Sequence, residues 1–345
     1  MKQEIRIKNW QLMRVTGKEE ILDLRDQSFV TVGKRALWGK RRMECVMLPE
    51  GVSAVKTEAF RACKRLKTVT LPATNNIGLS SSAFEGCGRL QSLENSEMLS
   101  QIGTRAFRRC RSLQNLPFGR ELSRIGDEAF CGCLSLTEVT LPATVGTLGK
   151  KAFADCTELS LVKTEEGLET LSAGIFRGCI SLTEIELSST IKELPSDALR
   201  DCSAFTSFTV PSSVERIGKR AFMGCTRLSK VTMELGVKRI GARAFAKMPR
   251  LESVMIPHSL GRIGFGAFGL GFSKKKVLLY VDNEYMYRRL RLRLLLCGSA
   301  GRVQVEQIGK TIDERKRERR RSTIEQTPVH LINDSNTDHE HSDAQ

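Results

Sequence analysis

One motif recurs along most of the chain at intervals of 23 residues, with a single interval of 24, and so short a period leaves few choices of fold. A full copy reads Ile125-Gly126-Asp127-Glu128-Ala129-Phe130-Cys131-Gly132-Cys133-Leu134-Ser135-Leu136-Thr137-Glu138-Val139-Thr140-Leu141-Pro142. The aromatic residue marks the register at Phe60, Phe84, Phe107, Phe130, Phe153, Phe176, Leu199, Phe222, Phe245 and Phe268, with a degenerate copy at Leu37. A period in the 20–29 range with aliphatic residues at fixed offsets belongs to a solenoid, in which no unit buries its apolar face alone.

Each coil carries two apolar clusters. Leu136, Val139 and Leu141 typify the first, whose β-branched alternation predicts a strand stacked in parallel on its neighbours. Pro49, Pro72, Pro142, Pro211 and Pro257 close that strand at one offset, where a residue without an N–H is tolerated. The second cluster is Ile-Gly-x-x-Ala-Phe, in which the glycine serves either a positive φ or a tight backbone contact. Regularity fails at the coil of Phe84, which has one extra residue (Ile77-Gly78), and at Leu171-Ser172 and Leu194-Pro195, where the glycine is lost.

Eight of the eleven cysteines (Cys63, Cys87, Cys110, Cys133, Cys156, Cys179, Cys202, Cys225) sit three residues after the marker. Equivalent side chains of stacked coils point the same way, so these read as an inward ladder of apolar thiols rather than disulfides or metal ligands. Cys45, Cys131 and Cys297 are off register, and of the three Cys131 is the one most expected to be exposed.

The composite pattern Ile-Gly-x-x-Ala-Phe-x-x-Cys-x-x-Leu-x-x-Val-x-Leu-Pro resembles the BspA-like leucine-rich repeat family over residues 33–271. The expected fold is therefore an α/β repeat solenoid, a leucine-rich-repeat horseshoe with a parallel sheet of short strands and about 11 coils. The resemblance implies a curved right-handed stack that binds proteins or surfaces, and the family offers no shared catalytic residues to carry over.

Around residues 33–271, residues 1–32 read as an N-terminal cap and 272–310 as a far cap. The far cap has a strand at Lys276–Val281 and a basic helix from Asn283 to Leu296, which either covers the last core layer or lies on a membrane surface. Residues 311–345, basic and then acidic with little to bury, read as a disordered tail. No apolar run spans a bilayer, and the charged start argues against a secretory signal. The expectation is a cytoplasmic protein, with nuclear entry as an alternative, monomeric rather than oligomeric.

Catalysis finds no support: there is no nucleophile–base constellation, and His258, His330, His339 and His341 are scattered. Gly264-Phe265-Gly266-Ala267-Phe268-Gly269 fits a dinucleotide fingerprint only by coincidence of repeat glycines, so no cofactor is expected. Binding surfaces are the better candidates. Solvent-facing strand positions form two columns on the concave sheet, including Thr70, Glu94, Glu138, Thr140, Lys163, Glu184, Glu186, Thr209, Lys230 and Thr232, either a solvated β surface or a protein-binding face acidic at its middle. No large aromatic anchor is found among them.

The net charge of +16 is uneven: residues 272–321 carry +9, the last 24 carry −5, and residues 1–271 carry +12. Arg216, Arg239 and Arg262 share one offset and Arg220 and Arg243 another, a basic stripe suited to an acidic protein or a polyanion. Interleaved aromatics for stacking bases are missing, which disfavours nucleic acid. In the tail, Arg315, Lys316, Arg317, Arg319, Arg320 and Arg321 read as a nuclear-import signal or electrostatic tether, with Ser322 a phosphosite that would weaken either. The leading reading is a non-enzymatic protein-interaction scaffold. Binding of a nucleic acid or anionic membrane surface through the basic C-terminal region is the alternative.

Overall fold

The computed structural model describes residues 4–74, 76–269, 277–281, 285, 287, 288, 290 and 303–307. The chain is a parallel-sheet solenoid of about 12 turns, with almost no helix among the described residues. The front strand forms as the alternation dictates: Glu138–Leu141 runs exposed, buried, exposed, buried. It pairs in parallel with Leu161–Thr164, residue for residue 23 positions on.

A second, shorter strand lies at the Ile-Gly cluster of most coils, where the sequence reading placed only apolar residues. Arg124–Ile125 pairs on one side with Gln101 and Ile102 and on the other with Thr147 and Leu148. The isoleucine enters the core, the preceding residue faces solvent, and the sheet ends at once because glycine follows. The front and second sheets therefore make two different surfaces, with the core between them.

At the third corner the chain turns around the marker residue, and two left-handed residues flank it in nearly every coil. Glu58 and Ala62 bracket Phe60, Arg105 and Arg109 bracket Phe107, and Asp197 and Asp201 bracket Leu199, all with φ between 53° and 62°. Such φ values are costly for residues with a side chain. Here the conformation turns alternate N–H groups toward the next coil: Glu58, Phe60 and Ala62 donate to Ser81, Ala83 and Glu85 at 3.1, 2.8 and 2.9 Å. Each recovered buried hydrogen bond offsets the backbone cost.

The Phe rings stack along the axis at 4.8–6.0 Å between centroids from Phe60 to Phe176. Stacking resumes from Phe222 through Phe245 to Phe268. Beneath them the eight ladder cysteines are all buried, and the ten described cysteines are free thiols. Cys131 and Cys45 are both half-buried, so Cys131 is less open than expected, and Cys297 lies outside the described residues.

The sheets are interrupted at some coils, although the second sheet runs unbroken through the coil with the extra residue. The front sheet stops after Ser92–Glu94 and resumes at Glu138–Leu141. Between them Pro117 occupies a ladder position and has no N–H to give. Asn115 substitutes its side chain: Oδ1 accepts from the backbone N–H groups of Thr137 and Glu138, each at 3.1 Å. A second break separates Glu184–Glu186 from Ser207–Val210, and the second sheet is interrupted at the coil of Ser172.

At the N-terminal end, Ile5–Lys8 and Gln11–Val15 form an antiparallel hairpin whose second strand pairs with Thr31 and Val32, covering the first edge of the second sheet. At the far end Val277–Val281 and Val303–Gln307 continue the front sheet in parallel, and Leu290, in a helical stretch, is buried in the core.

Candidate functional surfaces

Strand register places the predicted front-face residues in columns. Thr140, Lys163 and Glu186 are successive partners, as are Glu138, Leu161 and Glu184. Lys163 Nζ lies 3.2 Å from Glu186 Oε1, so the acidic middle is partly neutralised, leaving Glu138 and Glu184 on either side of Leu161. Toward the N-terminal end, Thr70 Oγ1 donates to Glu94 Oε2 at 2.6 Å and commits both groups to each other.

The C-terminal third differs in character. Thr209, Thr232, Met255 and Tyr280 form one outward column, while Ser207, Lys230, Ser253 and Leu278 form the other. Beside them is an open cleft of about 470 Å³ lined by Ser212, Thr232, Met233, Glu234, Leu235, Met255, Ile256 and Pro257. Leu235 at its rim is 59% exposed. Tyr280 and Leu278 were missed as face residues because they follow an irregular connection of 25 residues, Met255 to Tyr280, rather than 23. Extending the alternation of Met255 into Lys276–Val281 is the signal that finds them.

The basic stripe lies elsewhere. Arg216, Arg239 and Arg262 are register partners on the second sheet, and Arg220 and Arg243 hold the left-handed corner position. Arg216 pairs with Glu193 at 2.8 Å and Arg220 with Asp197 at 2.8 Å. Among the described residues, Arg239, Arg243 and Arg262 are exposed and carry no ion pair. At the corresponding corner of the N-terminal half, four arginines are committed instead. Arg35, Glu58, Arg61, Glu85, Arg108, Glu128 and Arg105 form one continuous chain of ion pairs across successive coils. The hydrogen bond from Arg35, chief among several contacts, holds the Glu58 carboxyl below the usual carboxylate range.

Burial pushes the thiols of Cys87, Cys110, Cys133, Cys156, Cys179 and Cys202 well up, and that of Cys225 to about 12. A thiol so held is neither a nucleophile nor a ready metal ligand. The tail cluster Arg315, Lys316, Arg317, Arg319, Arg320 and Arg321, and Ser322 beside it, lie outside the described residues. No helix among the described residues is long and apolar enough to cross a membrane.

The family profile described as the BspA type leucine rich repeat region matches residues 30–160 and 147–271, in six copies. Among solved structures, a leucine-rich repeat protein from Bacteroides ovatus is 18% identical with a TM-score of 0.53, covering 89% of this chain and 98% of that one. A leucine-rich repeat protein of T. pallidum is 25% identical with a TM-score of 0.41, over 66% of this chain and 87% of its own. A leucine-rich cell surface protein from Faecalibacterium prausnitzii is 19% identical, TM-score 0.39, over 73% and 92%. No curated protein matches the chain at a significant level.

Proposed function

Because the chain belongs to the BspA-type leucine-rich-repeat family, we propose that it is a non-enzymatic scaffold that holds a protein partner on the C-terminal third of its front sheet. Repeat proteins of this kind are generally interaction scaffolds. The observation that carries the choice of surface is the cleft lined by Met255 and Leu235, with Tyr280 the strand partner of Met255: largely apolar, open, and bordered by the polar side chains of Ser212, Thr232 and Glu234. A buried-on-binding apolar centre inside a polar rim is the anatomy of a packed protein interface, and tyrosine and methionine are enriched at such centres.

The test is recovery of partners by cross-linking and mass spectrometry with the intact chain, followed by Tyr280→Ala and Met255→Glu. Partners held above about 0.3 M salt and lost in both variants support the reading. Partners retained by both variants place the interface elsewhere.

A second reading rests on Arg239, Arg243 and Arg262, which are exposed and carry no ion pair among the described residues. These three suit an acidic protein or a polyanion. Binding that falls linearly on a log–log salt plot and weakens in Arg239→Gln favours it over the front sheet. For the tail cluster, a tagged deletion of residues 311–345 that distributes like the intact chain rules out a targeting role.

A further inference from the structure

The second sheet carries a groove that neither candidate surface includes. It has a volume of about 440 Å³ and is lined by Ala54, Lys56, Thr57, Gly78, Leu79, Ser80, Ser81, Gln101, Ile102, Gly103, Thr104 and Arg124. It coincides with the one coil that holds an extra residue. In that coil Ile77 adds a buried anchor paired with Leu99, and the partner strand bulges between Leu99 and Gln101 to accommodate it. Gly78 then falls on the outward strand position between Ala54 and Gln101, where most later coils present Arg or another long or polar side chain. A Cβ on Gly78 would meet nothing within 4 Å, so the missing side chain opens the groove's floor.

The lining is chemically one-sided. Lys56 and Arg124 are exposed cations at its two ends, and no carboxylate lines it. Neither cation has an ion pair among the described residues, in contrast to the neighbouring corner, where Arg35, Arg61, Arg105 and Arg108 are all paired. The side-chain hydroxyls of Thr57, Ser80, Ser81 and Thr104 and the Gln101 carboxamide are likewise uncommitted among the described residues. Lys56 and Arg124 stand three coils apart, roughly 14 Å at sheet spacing, too far to share one small ion. That span, with hydroxyls and an amide between charged ends, suits a carrier rich in hydroxyl groups bearing an oxyanion at each end.

We infer that this groove binds a carbohydrate carrying a phosphate or sulfate ester at each end, with Lys56 and Arg124 each holding one oxyanion and the hydroxyls of Thr57, Ser80, Ser81 and Thr104 facing the sugar. Charge-assisted hydrogen bonds from both cations supply the larger part of the selectivity.

The experiment is calorimetric titration of the full chain with four probes: a disaccharide sulfated at both ends, the same disaccharide phosphorylated at both ends, its unmodified parent, and inorganic sulfate. The sulfated or the phosphorylated form is expected to bind at least about tenfold more tightly than the parent and than free sulfate, and whichever ester binds more tightly identifies the source. Gly78→Gln, which fills the floor, and Arg124→Gln, which removes an exposed charge without touching the core, are each expected to weaken binding about tenfold. Arg239→Gln, on the separate basic stripe, is expected to leave it unchanged. Equal affinity for the parent, absence of binding, undiminished binding in Arg124→Gln with Gly78→Gln, or loss in Arg239→Gln overturns the inference.

Discussion

The thiol of Cys156 donates to the carbonyl oxygen of Phe130 in the preceding coil, Sγ to O 3.3 Å. The same carbonyl accepts the backbone N–H of Cys133 at 3.1 Å. The cysteine column is thus more than apolar filling: from Cys63 to Cys225 each thiol ties its coil to the marker residue one turn back. Cys156→Ala is expected to cost about 1–2 kcal/mol, from a lost hydrogen bond plus a small void, measured by urea denaturation. Cys156→Ser, which keeps a donor, should recover part of that loss.

Alkaline pH should unfold this protein steeply. The folded-state thiols titrate above the ordinary value of 9.0, because burial disfavours the thiolate. Above pH 9 the unfolded chain therefore loses protons that the folded chain keeps, and stability falls as pH rises. The stabilisation is fully present below the unfolded pKa and disappears progressively toward the folded value, about 12 for Cys225. Each such thiol contributes about 1.4 kcal/mol per pH unit in that window. Denaturation midpoints at pH 8 and pH 10 check this, and replacing Cys133 and Cys156 together by Ala should flatten the slope.

Two glycines one residue type apart in context should respond oppositely to alanine. A Cβ on Gly126 would lie 2.4 Å from Thr104 N and 2.6 Å from Gly103 C, backbone atoms of the coil beneath. Gly126→Ala is expected to destabilise by about 1–3 kcal/mol through overpacking. Gly78→Ala, with open space and no positive φ, should be neutral within about 0.5 kcal/mol. Thermal melts of the two variants decide it.

Phe153 stacks between Phe130 at 5.0 Å and Phe176 at 6.0 Å. Phe153→Ala is expected to cost about 3–5 kcal/mol. Because stability in a repeat stack is a sum of neighbour terms, amide exchange should quicken mainly in the adjoining coils. Uniform loss of protection from Leu12 to Phe268 would contradict the one-dimensional picture.

How much of this was legible in the residues follows from which groups repeat. The ring and thiol columns were readable because equivalent positions of stacked coils must superpose, so Phe107 announces its place over Phe84. The choice left open for the Ile-Gly glycine is resolved by close approach: Gly103, Gly126, Gly149, Gly218, Gly241 and Gly264 meet backbone of the preceding coil, and none has positive φ. Positive φ belongs instead to the residues flanking the marker, among them Arg105, Lys151 and Asp201. Glycine at Gly39, Gly86, Gly132, Gly178 and Gly224, two residues after the marker, is the sequence signal of that position, but Arg, Lys, Asp, Glu and Ala take the same conformation elsewhere because hydrogen bonding between coils imposes it. The outward columns beyond Met255 escaped notice because a longer connection shifts the count. The groove at Gly78 escaped because an inserted residue shows in sequence only as a broken interval.

Leu199 breaks the ring column, and the same coil makes good the lost volume from two other positions. Phe205 stands where Leu182 and Leu228 stand in neighbouring coils, and Phe208 where Val231 and Val254 stand. The two rings meet edge-on at 5.4 Å and 85°, and Phe208 reaches Phe222 at 4.9 Å and 68°. Aromatic volume has been moved from the centre of the coil to its front strand. Leu199→Phe alone should overpack the coil and cost about 1–3 kcal/mol. Phe208→Val alone should leave a void and cost about 2–4 kcal/mol. The double variant restores the repeat's own arrangement, one ring at the marker and a β-branched residue in the strand. It is expected to be more stable than the sum of the single effects by about 1–3 kcal/mol. Strict additivity in that cycle would mean that the two positions do not share one space, and the exchange of volume would then be accidental.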